Sequence, residues 1–230
     1  MKIKTIILLI ILMVTTLHPG FSQLTEQPNC ALKIPETLEI SKVEITKVKT
    51  VVYLTIENRI ERGYFCADKN IFIIYPDGTR SKLTSSNGIP VCPETYNFKT
   101  IGEKLQFTLE FPPLKTGTKW IDIVEDCTSN CFWFYGVTLD NELNIRLDEA
   151  FALSSKGKPA DNIVLFKNIL DSIDSQNLGI EGLLYINIIN AAVEDNDNVN
   201  TIVWYKRLAS SHAPRLSYFI KYLNDRGIKY

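Results

Sequence analysis

Hydrophobic residues between positions 38 and 146 follow the two-residue period of β-strands. In the clearest stretch, Leu105–Phe111, every second residue is apolar and the residues between are polar, which predicts a strand with one buried face. Other short runs are rich in β-branched and aromatic residues; they are 51–56, 71–75, 120–123 and 132–137. No helical segment separates these runs, so parallel crossovers do not fit. We expect an antiparallel, immunoglobulin-like β-sandwich over 38–146.

From residue 160 onward the apolar residues recur every three or four positions, which is the period of amphipathic helices. The first apolar stripe consists of Ile163, Phe166, Ile169, Leu170 and Ile173. Three more helices are expected at 183–193, 199–208 and 216–223. We therefore predict an α+β chain. Its all-α part, 160–230, forms a small four-helix bundle or two helical hairpins and follows a linker at 147–159.

The amino terminus has the order of residues found in secretory signal peptides. Two lysines precede a wholly apolar run at 6–14, and small residues follow it at positions 20 and 22. The run of nine apolar residues is shorter than the roughly 20 that a membrane-spanning helix needs. We expect a signal peptide at 1–22 and an N-terminal segment at 23–37. The mature chain is expected in the periplasm, on the cell surface or outside the cell, without a transmembrane segment.

Charge and composition exclude several classes of protein. Without Lys2 and Lys4 the mature chain has 23 basic and 26 acidic residues, a balance that favours neither nucleic acid nor an anionic membrane as a partner. A hydrophobic content of 45%, with 10% aromatic residues, is sufficient for a packed core and argues against disorder.

The cysteines predict disulfides, which are the usual state of cysteine pairs in an exported protein. Asp77-Gly78 is a tight-turn signal that folds the chain back and brings Cys66 near Cys92. Cys127 and Cys131 flank a three-residue loop between two strand-like runs, so a bond between them would close a hairpin.

Cys30 is left over from these two pairs. It is a free thiol, an intermolecular link, or the true partner of one of the other four cysteines. A metal site is not expected, because the cysteines do not form C-x-x-C pairs and the mature chain has His212 as its single histidine. No cofactor is predicted.

Several short segments follow the order seen in a known module. They are Gly88-Ile89-Pro90, Tyr96-Asn97-Phe98, Gly102-Glu103, Phe107-Thr108-Leu109, Phe111-Pro112-Pro113-Leu114, Ile121-Asp122-Ile123-Val124-Glu125 and Phe134-Tyr135-Gly136-Val137. This order resembles the amino-terminal immunoglobulin-like β-sandwich module of exported Bacteroidota proteins, over roughly residues 40–140. The resemblance implies the fold and brings no catalytic residues. The thioredoxin-like domain that often follows the module is not expected here, since the chain has no C-x-x-C.

Aromatic residues suggest one candidate binding surface. Strand alternation puts Trp133 and Tyr135 on the same face, and Trp120 lies on a neighbouring run. Such a face is either a platform for sugars or the surface on which the helical part docks. We favour docking, with Trp204 and Tyr205 as the partners from the helices.

Two polar motifs are better explained by helix ends than by chemistry. Ser210 and Ser211 precede His212, but three adjacent residues at the end of a helix cannot all face one another, and no G-x-S-x-G motif is present. The segment 194–200 resembles the start of a calcium loop, yet lacks the ligand and the glycine required at its fifth and sixth positions. Capping of the third helix by Asp197 or Asn198 explains it more simply.

The remaining alternative is a hydrolase that uses acidic residues such as Asp122, Glu125 or Asp126 between the two parts of the chain. The preferred interpretation is an exported, non-enzymatic binding or scaffolding protein of the cell envelope, whose partner is an envelope protein or a glycan. A carbohydrate-binding module that uses the aromatic face is the second interpretation, and the hydrolase is the third.

Overall fold

The computed structural model describes residues 23–173 and 177–230, so the predicted signal peptide at 1–22 lies outside the described residues. The strands are β1 (Gln23–Glu26), β2 (Leu32–Ile34), β3 (Leu38–Ile45), β4 (Thr50–Glu57), β5 (Tyr64–Phe65), β6 (Ile71–Ile74), β7 (Arg80–Lys82), β8 (Ser85–Asn87), β9 (Tyr96–Asn97), β10 (Lys104–Phe111), β11 (Trp120–Glu125) and β12 (Trp133–Thr138). The helices are α1 (Asn141–Ser154), α2 (Pro159–Ile173), α3 (Glu181–Glu194), α4 (Asn198–Ala209) and α5 (Leu216–Asp225).

Two five-stranded antiparallel sheets form the first half of the protein, which confirms the predicted sandwich and its α+β class. One sheet has the order β1-β3-β4-β10-β8 and the other the order β2-β12-β11-β6-β7, while β5 and β9 form a small separate pair. The alternation that predicts β10 is visible in its burial: Phe107, Leu109 and Phe111 are in the core, opposite residues of β4. Phe132 and Phe134 enter the same core from the second sheet.

The segment 23–37 belongs to the sandwich. β1 pairs with β3 in one sheet and β2 pairs with β12 in the other, so this short stretch contributes an edge strand to both sheets. Its strands are only four and three residues long, and neither has a strong hydrophobic pattern.

Helix α1 occupies much of the expected linker. Residues 147–154 are helical, and only 155–158 separate α1 from α2. Asp140 begins the helix, because its side chain accepts hydrogen bonds from the backbone N–H groups of Glu142 at 3.1 Å and Leu143 at 3.2 Å. The buried face of α1 consists of Leu143, Asn144, Leu147 and Ala150. The expectation of a linker over 147–159 is therefore wrong for most of its length.

The other four helices lie close to where the periodicity predicts them. They share a second hydrophobic core with α1, in which Phe166, Leu184, Trp204 and Phe219 are buried. Asp197 caps α4 by accepting a hydrogen bond from the backbone N–H of Asn200 at 2.9 Å, as expected. Within 23–173 and 177–230, none of the helices has the length and apolar character that crossing a membrane requires.

Both predicted disulfides are present. Cys66 is bonded to Cys92 and Cys127 to Cys131. Cys30 is free and packs against the edge of the sandwich core. The disulfides agree with the predicted export from the cytoplasm.

Candidate functional site

The helical half docks on the second sheet through an ion pair whose carboxylate is buried. Arg215, just before α5, donates to Oδ2 of Asp122 on β11. The other oxygen of Asp122 accepts a hydrogen bond from the backbone N–H of Gly136 at 2.8 Å. The Arg215 guanidinium also lies 4.3 Å from the centre of the Tyr135 ring, which is the geometry of a cation–π contact. One oxygen of Asp122 thus holds the helical half, and the other is bonded within the second sheet.

The predicted aromatic face is part of this contact. Trp133 and Tyr135 stack with their ring centres 4.3 Å apart, and Tyr218 of α5 lies 6.0 Å and 5.7 Å from them. Burial and the neighbouring Tyr218 hydroxyl raise the pKa of Tyr135 to about 12. The covering residue is therefore Tyr218 rather than Trp204 or Tyr205, which are buried in the helical core.

Trp120, the third predicted aromatic residue, contacts the segment between α2 and α3. Its indole N–H donates to the carbonyl of Asn177 at 2.8 Å, and its ring lies over Gly179. A Cβ added to Gly179 would be 2.6 Å from that ring, and a Cβ added to Gly136 would be 2.2 Å from the Gly179 carbonyl oxygen. The two glycines allow the backbones of the two halves to touch. Trp120 is 6% exposed, so it does not belong to an open aromatic platform.

A cavity of about 540 Å³ opens in the helical half, next to this contact. We refer to it as the helical pocket. Its lining residues come from α2, α3, α4 and the two connections beside them: Leu170, Asn177, Glu181, Tyr185, Arg207, Ser210, Ser211, His212, Ala213 and Pro214. This volume is in the range of small-molecule sites, which are concave and carry a few polar groups on an apolar wall.

Glu181 has an unusual environment in the helical pocket. Its Oε1 accepts a hydrogen bond from the backbone N–H of Leu178. Its Oε2 is buried and has no hydrogen-bond partner within the part of the chain that the structure describes. Buried polar atoms in proteins are nearly always paired, so this oxygen is an acceptor in need of a donor.

Cationic and aromatic residues also line the helical pocket. The guanidinium of Arg207 lies 4.5 Å from the centre of the Trp204 ring, and the ring of Tyr185 is 6.1 Å from that same ring. His212 is exposed and follows the end of α4. Trp204 therefore lies behind two residues that line the pocket, where a bound molecule would change its surroundings.

The serines of the helical pocket are not arranged as nucleophiles. The hydroxyl of Ser210 donates to the carbonyl of Lys206 at 2.9 Å, and that of Ser211 donates to the carbonyl of Leu208 at 2.7 Å. These bonds satisfy the last carbonyl groups of α4, which is the role expected of a polar residue at a helix end.

Glu125, one of the acidic residues considered for hydrolysis, is held by backbone hydrogen bonds. Glu125 accepts backbone hydrogen bonds from Asp68 at 2.7 Å and Phe132 at 3.0 Å. Its carboxylate and the sulfurs of Cys127 and Cys131 lie within 4.8 Å of one another. Those sulfurs form a disulfide and have no thiolate to offer a metal ion.

No family model matches the sequence, and a search of curated proteins finds no relative. The comparisons thus identify no enzyme family for this chain. The resemblance to the Bacteroidota sandwich module stays a prediction.

Proposed function

We propose that the protein is an exported binding module of the cell envelope that holds a small polar ligand in the helical pocket. The observation that carries the proposal is the buried Oε2 of Glu181, which has no partner in the described chain and belongs to the wall of a 540 Å³ cavity. A bound molecule with an amine or hydroxyl group would supply the missing donor. Burying such an acceptor without a partner is otherwise unfavourable by about 1–3 kcal/mol.

The helical pocket also contains a positive charge, opposite in sign to Glu181, and this charge narrows the class of ligand. Arg207 supplies a guanidinium, which recognises carboxylate or phosphate through parallel hydrogen bonds. A molecule that carries a donor group next to an anionic group would satisfy Glu181 and Arg207 together. Amino acids, short peptides and acidic sugars belong to this class.

The contact between the two halves supports a binding role as well. Trp120 of the sandwich donates to the carbonyl of Asn177, which is also a residue of the helical pocket. The Asp122–Arg215 pair fixes the start of α5 close to the same place. The wall of the pocket is thereby held by the sheet, and pre-organised sites lose less entropy on binding.

A second candidate function is glycan binding at the aromatic face. Tyr218 is 46% exposed, and Trp133 is half-buried beside it with their ring centres 6.0 Å apart. The exposed part of these two neighbouring rings would contact one sugar. A glycan bound here would change the fluorescence of Trp133, whereas a ligand in the helical pocket would change that of Trp204.

The test separates these two sites by their tryptophans. Tryptophan fluorescence and thermal unfolding of the mature protein are measured with panels of amino acids, short peptides, and neutral and acidic sugars. A ligand of the helical pocket raises the melting temperature by mass action, and its fluorescence change is retained in Trp133→Phe but reduced in Trp204→Phe. A glycan at the aromatic face gives the reverse pattern.

Glu181→Gln then tests the proposed contact. Glutamine retains Oε1 for the Leu178 N–H but replaces the unpaired oxygen with a donor, so affinity falls about tenfold, or about 1.4 kcal/mol. Lys206→Ala, a change on the exposed side of α4 outside the pocket lining, is the control and leaves affinity unchanged. Equal affinities for wild type and Glu181→Gln, or no response to any panel member, would overturn the proposal.

A further inference from the structure

A second cavity, of about 520 Å³, is lined by residues of both disulfides. Cys66 and Cys92 lie on its wall together with Cys127 and the carboxyl group of Glu125. This cavity belongs to the sandwich and shares no residue with the helical pocket. A carboxyl group beside a disulfide in a water-accessible cavity is an arrangement suited to thiol chemistry, because the sulfur that leaves a broken disulfide needs a proton.

The sulfur of Cys127 is surrounded by oxygen atoms. Oε2 of Glu125 lies 3.9 Å from it and the carbonyl oxygen of Ser129 lies 3.2 Å from it. A disulfide sulfur has no hydrogen to share with these acceptors, whereas a thiol S–H would donate to either of them. The surroundings of Cys127 thus fit its reduced form as well as its oxidised form.

Burial gives Glu125 the properties of a proton donor. Its side chain lies between the ends of β11 and β12, and the residue is only 6% exposed. Desolvation raises the pKa of its carboxyl group, and the backbone donors of Asp68 and Phe132 offset part of this effect. A larger fraction of Glu125 is therefore protonated near neutral pH than of an exposed glutamate.

The sheet is arranged so that this bond can open without unfolding. On the strand side of the loop, the Glu125 N–H donates to the Phe132 carbonyl at 3.0 Å, and the Phe132 N–H donates to Glu125 Oε2 at 3.0 Å. These two bonds hold the ends of the hairpin independently of the sulfurs. Residues 128–130 between the cysteines are exposed, which leaves room for an approaching thiol.

The other disulfide is placed differently. Between Cys66 and Cys92, the chain is tied by hydrogen bonds from Ala67 N–H to the Pro90 carbonyl at 3.0 Å and from Cys92 N–H to the Ala67 carbonyl at 3.1 Å. Ala67 is 1% exposed and part of the sandwich core. Reduction of Cys66–Cys92 is therefore expected only when this part of the core opens.

We propose that Cys127–Cys131 is a redox-active disulfide that exchanges with dithiols, and that Glu125 transfers the proton to and from the Cys127 sulfur. A dithiol, either a small molecule or a pair of cysteines on a protein, is the substrate class. The proposal is independent of ligand binding in the helical pocket.

The exchange has two steps. A thiolate of the dithiol, whose proton has gone to solvent, attacks Cys131 Sγ; the S–S bond breaks, and the departing Cys127 thiolate takes the proton of Glu125. Attack at Cys131 is favoured because the carbonyl oxygen of Ser129, 3.2 Å from Cys127 Sγ, repels a thiolate approaching that sulfur. It also makes Cys127 the departing sulfur, which Glu125 can protonate from 3.9 Å. The second thiol of the dithiol then attacks the mixed disulfide and releases Cys131, which takes that thiol's proton. Glu125 regains a proton from water in the cavity. The net reaction converts the protein disulfide and a dithiol into the protein dithiol and a disulfide.

Differential reduction tests the proposal with the folded, oxidised protein. Dithiothreitol is added in increasing concentration, free thiols are blocked with N-ethylmaleimide, and peptides are identified by mass spectrometry. Cys127 and Cys131 are expected to be modified at about tenfold less dithiothreitol than Cys66 and Cys92, with the near-ultraviolet circular dichroism retained. Simultaneous reduction of both pairs, accompanied by loss of that signal, would overturn the proposal.

The role of Glu125 is tested by rate. Glu125→Gln is expected to slow the reduction of Cys127–Cys131 by about tenfold or more at pH 6–7. Asp126→Asn is the matched control, since that side chain pairs with Arg80 at 3.2 Å and not with a sulfur, and its rate is expected to equal that of wild type. Equal rates for all three proteins at every pH would show that Glu125 transfers no proton. If Glu125→Gln does not fold, the pH profile of the wild-type rate is compared with that of a model disulfide peptide, and coincident profiles would count against the proposal.

Discussion

Arg215 in the helical half pairs with the buried carboxylate of Asp122 in the sandwich, although the two residues are 93 positions apart in the chain. The Asp122 side chain is 4% exposed, and that of Arg215 is 38% exposed. A carboxylate buried to this degree is stable as an ion only with a hydrogen-bonded partner. Docking of the helical half therefore supplies the cation that Asp122 of the second sheet needs.

Arg215→Ala is expected to destabilise the protein by about 2 kcal/mol, because it leaves the Asp122 charge buried without its cation. The figure is below the usual range of about 3–5 kcal/mol for breaking a buried pair, since water reaches the exposed side of Arg215. The measurement is urea unfolding. Lys221→Ala, which breaks an exposed pair with Asp225 on the same helix, is the control and should cost under about 0.5 kcal/mol. Equal effects of the two substitutions would contradict a role for burial.

The contact between Gly136 and Gly179 leads to a second prediction. Gly136→Ala would place a methyl group 2.2 Å from the Gly179 carbonyl oxygen, forcing the two halves apart. Gly78→Ala is a matched control, because Gly136 and Gly78 have φ angles of +62° and +79° but the space around Gly78 is open. Both variants are expected to lose about 1 kcal/mol of stability, because alanine is disfavoured in a left-handed backbone conformation. Gly136→Ala alone is expected to lose about 2 kcal/mol more, because its methyl group overlaps the Gly179 carbonyl. Urea unfolding and Trp120 fluorescence measure the difference; equal losses would mean that the halves do not touch here.

Local patterns were sufficient to predict most of the fold. The alternation in Leu105–Phe111 corresponds to β10, and the turn at Asp77-Gly78 joins β6 to β7. The predicted Cys66–Cys92 bond is present, but beside it Ala67 and Val91 pair in parallel, so a simple fold-back at that turn does not explain it. Helix α1 was missed because its buried face includes the polar Asn144, which accepts hydrogen bonds from Asn29 and donates to Thr138. The cap at Asp140 was the available signal for that helix.

Features made by distant residues could not be predicted in the same way. The helical pocket joins residues from Leu170 to Pro214 that belong to different helices, and no spacing in the sequence brings Glu181 and Arg207 together. The aromatic face was recognised from Trp133 and Tyr135, but its partner was not, because which side of α5 faces the sheet depends on tertiary packing.

Cys30 provides a third prediction. Burial raises the pKa of its thiol to about 11, although Lys33 acts in the opposite direction. At pH 8 about one thiol in 1,000 would then be ionised, against about one in four for an ordinary cysteine. Iodoacetamide should label native Cys30 on the order of 100-fold more slowly than the unfolded chain in urea. Mass spectrometry without reductant, which leaves both disulfides intact, gives the two rates, and similar rates would contradict the buried thiol.

Glu125 and Glu103 should have opposite effects on the pH dependence of stability. Burial raises the pKa of Glu125 in the folded protein, so the folded state binds this proton more tightly than the unfolded state does. Its contribution to stability is fully present below the ordinary glutamate pKa of about 4.3 and is lost as the pH rises through the higher folded value. The free energy of unfolding of wild type should therefore fall, relative to Glu125→Gln, between pH 4 and 7.

Glu103 has the reverse sign because it accepts hydrogen bonds from the Tyr96 hydroxyl at 2.6 Å and the Lys99 N–H at 2.6 Å, which lower the pKa of its carboxyl group. Its contribution is present above the ordinary pKa and is lost as the pH falls through the lower folded value. Relative to Glu103→Gln, wild type should gain stability as the pH rises from 3 to 5. Urea unfolding of the three oxidised proteins from pH 3 to 7 measures both differences. Parallel curves for wild type and Glu125→Gln would mean that Glu125 is ionised as easily as an exposed glutamate, and would also weaken its assignment as the proton donor to Cys127.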